Sequence, residues 1–257
     1  MKKRFHQFVL LEKGPVNTAI IDFLKGNIYQ VNNSIIEKFE SEIFSDINDF
    51  LQACEKEEMF IEINEKAWVP RIFFEKEEMI KEFSFCLETE EGVDFDLITE
   101  KMRGFDLSQI VFYGQTLPQR FFPDVEKKTK VKDFEKCRML STIDRKLGKA
   151  DNSIYDFNLN YNSCWGRKIA ITAEGILKPC IYSDMVIGDL KEQKMDDFIE
   201  KIKSLWSITK DKVETCRDCE LRYVCFDCRE IARKTTGNLL GANPNCGYNP
   251  YKGIWTK

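Results

Sequence analysis

Between Cys216 and Arg229 the chain reads CRDCELRYVCFDCR. Four cysteines fall there as two C-x-x-C pairs with five residues between them, a density that average composition does not produce. Thiols gathered so closely in a reducing compartment are metal ligands or redox groups before they are disulfides. Cys164 and Cys180 lie upstream and Cys246 downstream, so seven of the ten cysteines lie from Cys164 onward. The C-terminal part is therefore the chemical part.

With 257 residues the chain is long enough for two units or three, at about 100–200 residues per domain. Average apolar content with twenty Phe describes a packed protein, not a disordered one. The net charge of -4 argues against a nucleic-acid partner, which needs Lys and Arg concentrated on one face. In the start, MKKRFHQFVLLEKG, the apolar run FVLL is too short for a signal peptide, and no segment approaches a membrane span. A cytoplasmic location without membrane contact is expected.

The fold class expected is α+β. FVLLE, TAIIDF and IYQV imply three strands separated by turns at Gly14-Pro15 and Lys25-Gly26-Asn27. A capping box, Ser34-x-x-Glu37, then opens a helix carrying Ile35, Ile36, Phe39 and Ile43. A second helix starts near Ser45 or Asp46, with Cys54 on its apolar side as a small buried hydrophobe. A strand, FIEI, closes the unit.

The middle region is mixed α/β: FSFCLE a strand, VDFDLITEKM a helix, LSQIVFYG a strand, and FEKCRMLSTIDRKLG a helix bearing Cys137. The run Lys127–Lys132 reads as solvated surface. These patterns divide the chain into residues 1–67, 68–160 and 161–257.

From Cys164 to Cys180 the sequence CWGRKIAITAEGILKPC reads as a hairpin, KIAIT and ILK about a turn at Ala173-Glu174-Gly175, where glycine supplies the positive φ. The hairpin brings its flanks together, so Cys164 and Cys180 can ligate one centre. An amphipathic helix through Phe198, Ile199, Ile202, Leu205 and Trp206 leads to the dense cluster. The thiolates can hold iron in clusters or, as an alternative, structural zinc in a protein without catalysis.

The spacing of Cys164, Gly175, Cys180, the double C-x-x-C and Cys246 resembles the seven-cysteine SPASM domain, which follows the barrel of many radical SAM peptide-modifying enzymes and carries auxiliary 4Fe-4S clusters. WSITKDKVETCRDCELRYVCFDCR and CGYNPYKGIW further resemble the SPASM peptide maturases of grasp-with-spasm cassettes. That resemblance implies a ribosomally made precursor peptide and an ATP-grasp ligase as partners. It implies a reduced barrel in the middle region, and the N-terminal unit resembles the winged-helix module that captures leader peptides by strand addition. The same pattern also suits a small α+β cap completing the next unit's core.

By similarity, two 4Fe-4S clusters are implied. Cys216, Cys219, Cys225 and Cys246 hold one completely; Cys164, Cys180 and Cys228 hold three corners of the other. Its last corner is open, or is filled by Cys137, a carboxylate or a substrate atom. Two residues separate Cys225 and Cys228, where the common domain has three. The C-x-x-x-C-x-x-C that binds the S-adenosylmethionine-cleaving cluster is missing: Cys54, Cys86 and Cys137 are too dispersed. The chain is not expected to generate a radical by itself. The single histidine, His6, lies near an expectedly mobile terminus and is a poor acid-base candidate. Trp165, Tyr223, Phe226 and Trp255 are expected to shield sulfur by packing, and Arg222 and Arg229 to donate to cluster sulfur or join surface ion pairs.

Overall fold

The computed structural model describes residues 2–63, 83–89, 93–114, 121, 124–130 and 149–256. Strands β2 (Val9–Lys13), β3 (Asn17–Asp22) and β4 (Asn27–Asn32) lie at the three apolar runs and form an antiparallel sheet in the order β2-β3-β4. Side chains alternate along a strand, and β3 is covered on both faces. Ile20 joins Val9, Ile36, Cys54 and Met59 in one core. Ala19 and Ile21 instead pack with Leu221, Tyr223 and Tyr248, residues of the cysteine-bearing part.

Helix α1 (Asn33–Glu40) begins one residue before Ser34, because Asn32 caps it by accepting from the Ser34 N–H at 3.0 Å; the expected capping box is not used. Helix α2 is Asn48–Lys56, starting later than Ser45 or Asp46. Asp46 is engaged by Lys38 at 3.0 Å, and the buried Ile47 occupies the position before the first turn. The basic start is part of a sheet. Strand β1 (Lys2–Phe5) pairs antiparallel with β5 (Phe60–Ile63), the Phe5 ring packs at a tilt against Phe39 and Phe60, and His6 is buried, its N–H donating to Met59 O.

The main sheet combines β6 (Phe83–Thr89), β7 (Leu107–Gly114), β8 (Glu126–Lys130), β9 (Lys168–Ile171), β10 (Ile176–Lys178) and β11 (Gly188–Asp189), in the order β11-β10-β9-β6-β7-β8. Strands β9, β6, β7 and β8 run parallel; β10 and β11 are antiparallel. Helix α3 (Phe95–Lys101), capped by Asp94, makes the crossover from β6 to β7. Lys127–Lys130 of the basic run lie in β8, at the sheet's edge among the described residues, and an edge strand tolerates lysines that a central strand would not. The helix expected around Cys137 lies outside the described residues.

One sheet face buries Leu87, Ile110, Ile169, Ile171 and Leu177 against Phe198, Ile202, Leu205 and Trp206, the last three from helix α5 (Ile199–Trp206); helix α4 (Asn152–Asn160) precedes the hairpin. The cysteine-bearing hairpin is thus welded into the sheet of the middle region. Gly188 in β11 lies so close to the Phe198 ring that a β-carbon would run into it. Gly188→Ala is expected to destabilise the fold by about 1–3 kcal/mol through overpacking. Urea denaturation checks this, and an unshifted midpoint would mean the ring yields freely. No helix among the described residues is long and apolar enough to cross a membrane.

Candidate metal centre

The seven cysteines gather into two groups that meet at the Phe226-Asp227 step. Cys216, Cys219, Cys225 and Cys246 line one pocket, together with Lys210, Asn243 and Tyr248. Cys164 and Cys228 are hydrogen-bonded to each other, with Cys180 close enough to both to act on them electrostatically. Among the described residues no three His, Cys, Asp or Glu side chains converge closely enough to hold a single ion. Cys216, Cys219, Cys225 and Cys246 line a space instead of meeting at a point.

Local structure explains how each sulfur is placed. The β9–β10 hairpin turns at Gly175, whose φ is 91°, and pairs Leu177 with Ile171. At its start, Asn162 Oδ1 accepts from the N–H groups of Cys164 and Trp165 at 2.9 and 2.8 Å. The Asn162 amide in turn donates to Ile208 O at 3.1 Å. At its end, Cys180 sulfur accepts from the Tyr182 N–H. Cys228 stands at the N-cap of helix α6 (Arg229–Thr236), with the N–H groups of Ile231 and Glu230 close enough to favour its thiolate.

Two serines fasten these segments together. Ser163 Oγ accepts from Asp227 N–H at 2.9 Å, tying the turn beside Cys164 to the one beside Cys228. Ser183 Oγ donates to Glu230 Oε2 at 2.7 Å, tying the Cys180 segment to α6.

The electrostatics of the two groups differ. The Cys228 thiol is lowered to about 7, first by the hydrogen bond from Cys164 and further by the helix N–H groups, against the effect of burial. Cys164 is correspondingly raised, by that same bond and by burial. Burial pushes Cys180 up to about 12 and Cys216 up to about 11, and raises Cys219 and Cys225. Without a metal, most of these sulfurs are protonated thiols; a bound metal would ionise them.

Arg222 and Arg229 are not surface pairs. Arg229 is fully buried, its Nε 2.5 Å from Asp227 Oδ2, and its Nη1 donates to Leu239 O and Gly241 O at 3.0 and 2.8 Å. Arg222 reaches Glu12 Oε2 at 2.9 Å and the Cys219 carbonyl at 3.1 Å, and lies over the Tyr223 ring. Both are drawn in because carbonyls and carboxylates surround them. Trp165 and Tyr223 are buried as expected of shielding aromatics, whereas Phe226 is 41% exposed. Trp255, half-buried, donates to Gln30 on β4 at 3.0 Å.

Sequence reasoning missed Lys210, Ser163 and Asp227. Lys210 sits in a charged KDK run that resembles solvated surface, yet it is 6% exposed and donates to Cys225 Sγ at 3.1 Å. No local signal distinguishes it. Cys54 is buried among apolar side chains, as expected, and burial raises its thiol to about 12. Cys86 is buried on the sheet face opposite the main core, and Cys137 lies outside the described residues.

Residues 164–220 match the family model of SPASM, an iron-sulfur cluster-binding domain. No curated protein matches the chain. The match takes in Cys164, Cys180, Cys216 and Cys219, and the fold adds Cys225, Cys228 and Cys246 to the same two groups. The chain is therefore a mixed α+β protein with a C-terminal SPASM domain, which implies iron-sulfur binding. The donor set fits that group. All seven are sulfurs, and backbone N–H groups lie near Cys180, Cys219 and Cys228 and favour their thiolates, the usual surroundings of cluster-ligating sulfur.

Proposed function

We propose that this chain is a cytoplasmic iron-sulfur protein that takes part in maturing a ribosomally made precursor peptide, together with a partner enzyme such as an ATP-grasp ligase. The observation that carries the iron-sulfur reading is the partition of seven sulfurs into a group of four and a group of three. Cys216, Cys219, Cys225 and Cys246 suit a completely ligated 4Fe-4S cluster, and Cys164, Cys180 and Cys228 suit a second with one iron left for another ligand. Such clusters supply electron transfer and, at an open iron, a Lewis-acidic position for a substrate atom. The peptide partner rests on the resemblance of the 205–229 and 246–255 segments to the grasp-with-spasm maturases. In this reading the sheet β2-β3-β4 with α1 and α2 is the winged-helix-like unit that meets the peptide, and β6 to β8 are the remnant of a barrel.

Protein purified without oxygen is expected to be brown, with iron and sulfide in comparable amounts. Colourless protein holding zinc would sink the iron reading. Mass spectrometry of the precursor, co-expressed with the ligase in the presence and absence of this chain, tests the peptide. A precursor mass that does not depend on the chain would overturn its role in maturation.

A further inference from the structure

The four-cysteine pocket contains one group that thiols cannot balance. Lys210 is buried in a short 3-10 turn, Lys210–Lys212, at the wall of that pocket. Among the described residues its ammonium makes one hydrogen bond, to Cys225 Sγ at 3.1 Å. Asp227 also lies near Lys210. Its carboxylate, however, is already in contact with the guanidinium of the fully buried Arg229. Counted over Lys210, Arg229 and Asp227 alone, one positive charge is left over; the other buried carboxylate beside the pocket, Glu220, is held by the neutral Gln30 and Tyr248.

Burying a charge without a partner is among the costliest arrangements a fold can contain. A neutral thiol is only a weak acceptor, and Cys225 Sγ is the one hydrogen-bond partner the ammonium has among the described residues. A centre ligated by four thiolates carries net negative charge and removes the difficulty. Resting on the iron-sulfur reading above, we infer that Lys210 is the counter-charge and sulfur hydrogen-bond donor of the centre held by Cys216, Cys219, Cys225 and Cys246, and that it raises that centre's reduction potential.

The physical reason is direct. Reduction adds an electron to an already anionic group, and a fixed positive charge in a water-poor pocket stabilises the reduced form more than the oxidised one. The N–H···S bond acts in the same direction by drawing charge off the ligating sulfur. At the three-cysteine group, backbone N–H groups act on Cys180 and Cys228, and the Glu230 carboxylate lies near Cys180. Lys168 also acts electrostatically on Cys164 and Cys180, so what sets Lys210 apart is its burial and its direct hydrogen bond to a sulfur.

The test uses the full chain, purified without oxygen, as wild type, Lys210→Met and Lys210→Arg. Iron and sulfide content are measured first, then the midpoint potential by redox titration followed by electron paramagnetic resonance. The methionine variant, which keeps the apolar stem and loses charge and donor, is expected to show a lowered midpoint for one centre; the arginine variant is expected to stay near wild type. If the methionine variant cannot hold its cluster at all, retention by the arginine variant supports the counter-charge. An unchanged midpoint in a fully loaded Lys210→Met protein overturns the inference, as does equal loss of iron from both variants, which would make the residue's role one of shape. Should the wild type hold zinc, the iron reading falls on its own. The counter-charge is then read as weaker zinc binding in Lys210→Met than in Lys210→Arg, and equal binding overturns it.

Discussion

Removing the metal from the purified chain is expected to unfold the cysteine-bearing part, not to leave it folded and empty. Between the end of α5 at Trp206 and the start of α6 at Arg229, the only regular structure is two 3-10 turns, Lys210–Lys212 and Cys216–Asp218. That stretch has no strand ladder and no long helix to hold its backbone. It nevertheless packs Leu221 and Tyr223 against Ala19 and Ile21 of the N-terminal sheet. Loss of the sulfur cross-link would therefore be felt across the molecule. Metal binding contributes on the order of 10 kcal/mol to the folding of small metal-dependent domains. At about 2–4 °C per kcal/mol for a chain near this size, anaerobic chelation should lower Tm by roughly 20 °C or more. Circular dichroism melts of loaded and chelated protein decide it. A chelated, iron-free sample melting within a few degrees of the loaded one would show that apolar packing alone holds the loops, and the sulfurs would then be passengers.

The second large effect concerns Asp227→Asn. Asp227 lies between the two cysteine groups, and its carboxylate touches the fully buried Arg229, which also fastens the Leu239 and Gly241 carbonyls. Asparagine is close in size but leaves the guanidinium without a counter-charge. Breaking one side of a buried pair costs about 3–5 kcal/mol, because the remaining charge stays desolvated. A Asp227→Asn, Arg229→Met double variant should recover part of the loss, since removing both charges removes the stranded one. Urea unfolding of the two singles and the double measures this. A single substitution that shifts stability by under about 1 kcal/mol would mean that water reaches Arg229 and that the pair is effectively at the surface.

The donor chemistry of this protein was legible from local sequence. Two C-x-x-C pairs name themselves, and the alternation in KIAIT and ILK around Gly175 is enough to predict the hairpin that joins Cys164 to Cys180. The strands β2, β3 and β4 were equally legible, because alternation of apolar and polar residues is a short-range signal. The pairing of β1 with β5 was not: Lys2–Phe5 carries no alternation that marks a strand until Phe60–Ile63 is placed beside it. The strand β8 was hidden for a related reason, since lysines at a sheet edge look the same in sequence as lysines in solvent.

Charge was the least legible feature. Glu12, Gln30 and Glu220 resemble surface residues, yet Glu12 holds Arg222 at 2.9 Å and Gln30 donates to the buried Glu220 at 2.8 Å. These contacts join residues about 190 to 210 positions apart. No window of sequence contains both partners.

Sulfur as the ligand type, and seven as the number available, follow from the residues themselves, because a side chain's donor atom is fixed by its covalent structure. Which sulfurs share a space, and which buried cation and carboxylate stand beside them, was decided only when the loops closed. Burial and distance set the strength of a charge and the partner of a thiol, and neither quantity exists in an extended chain.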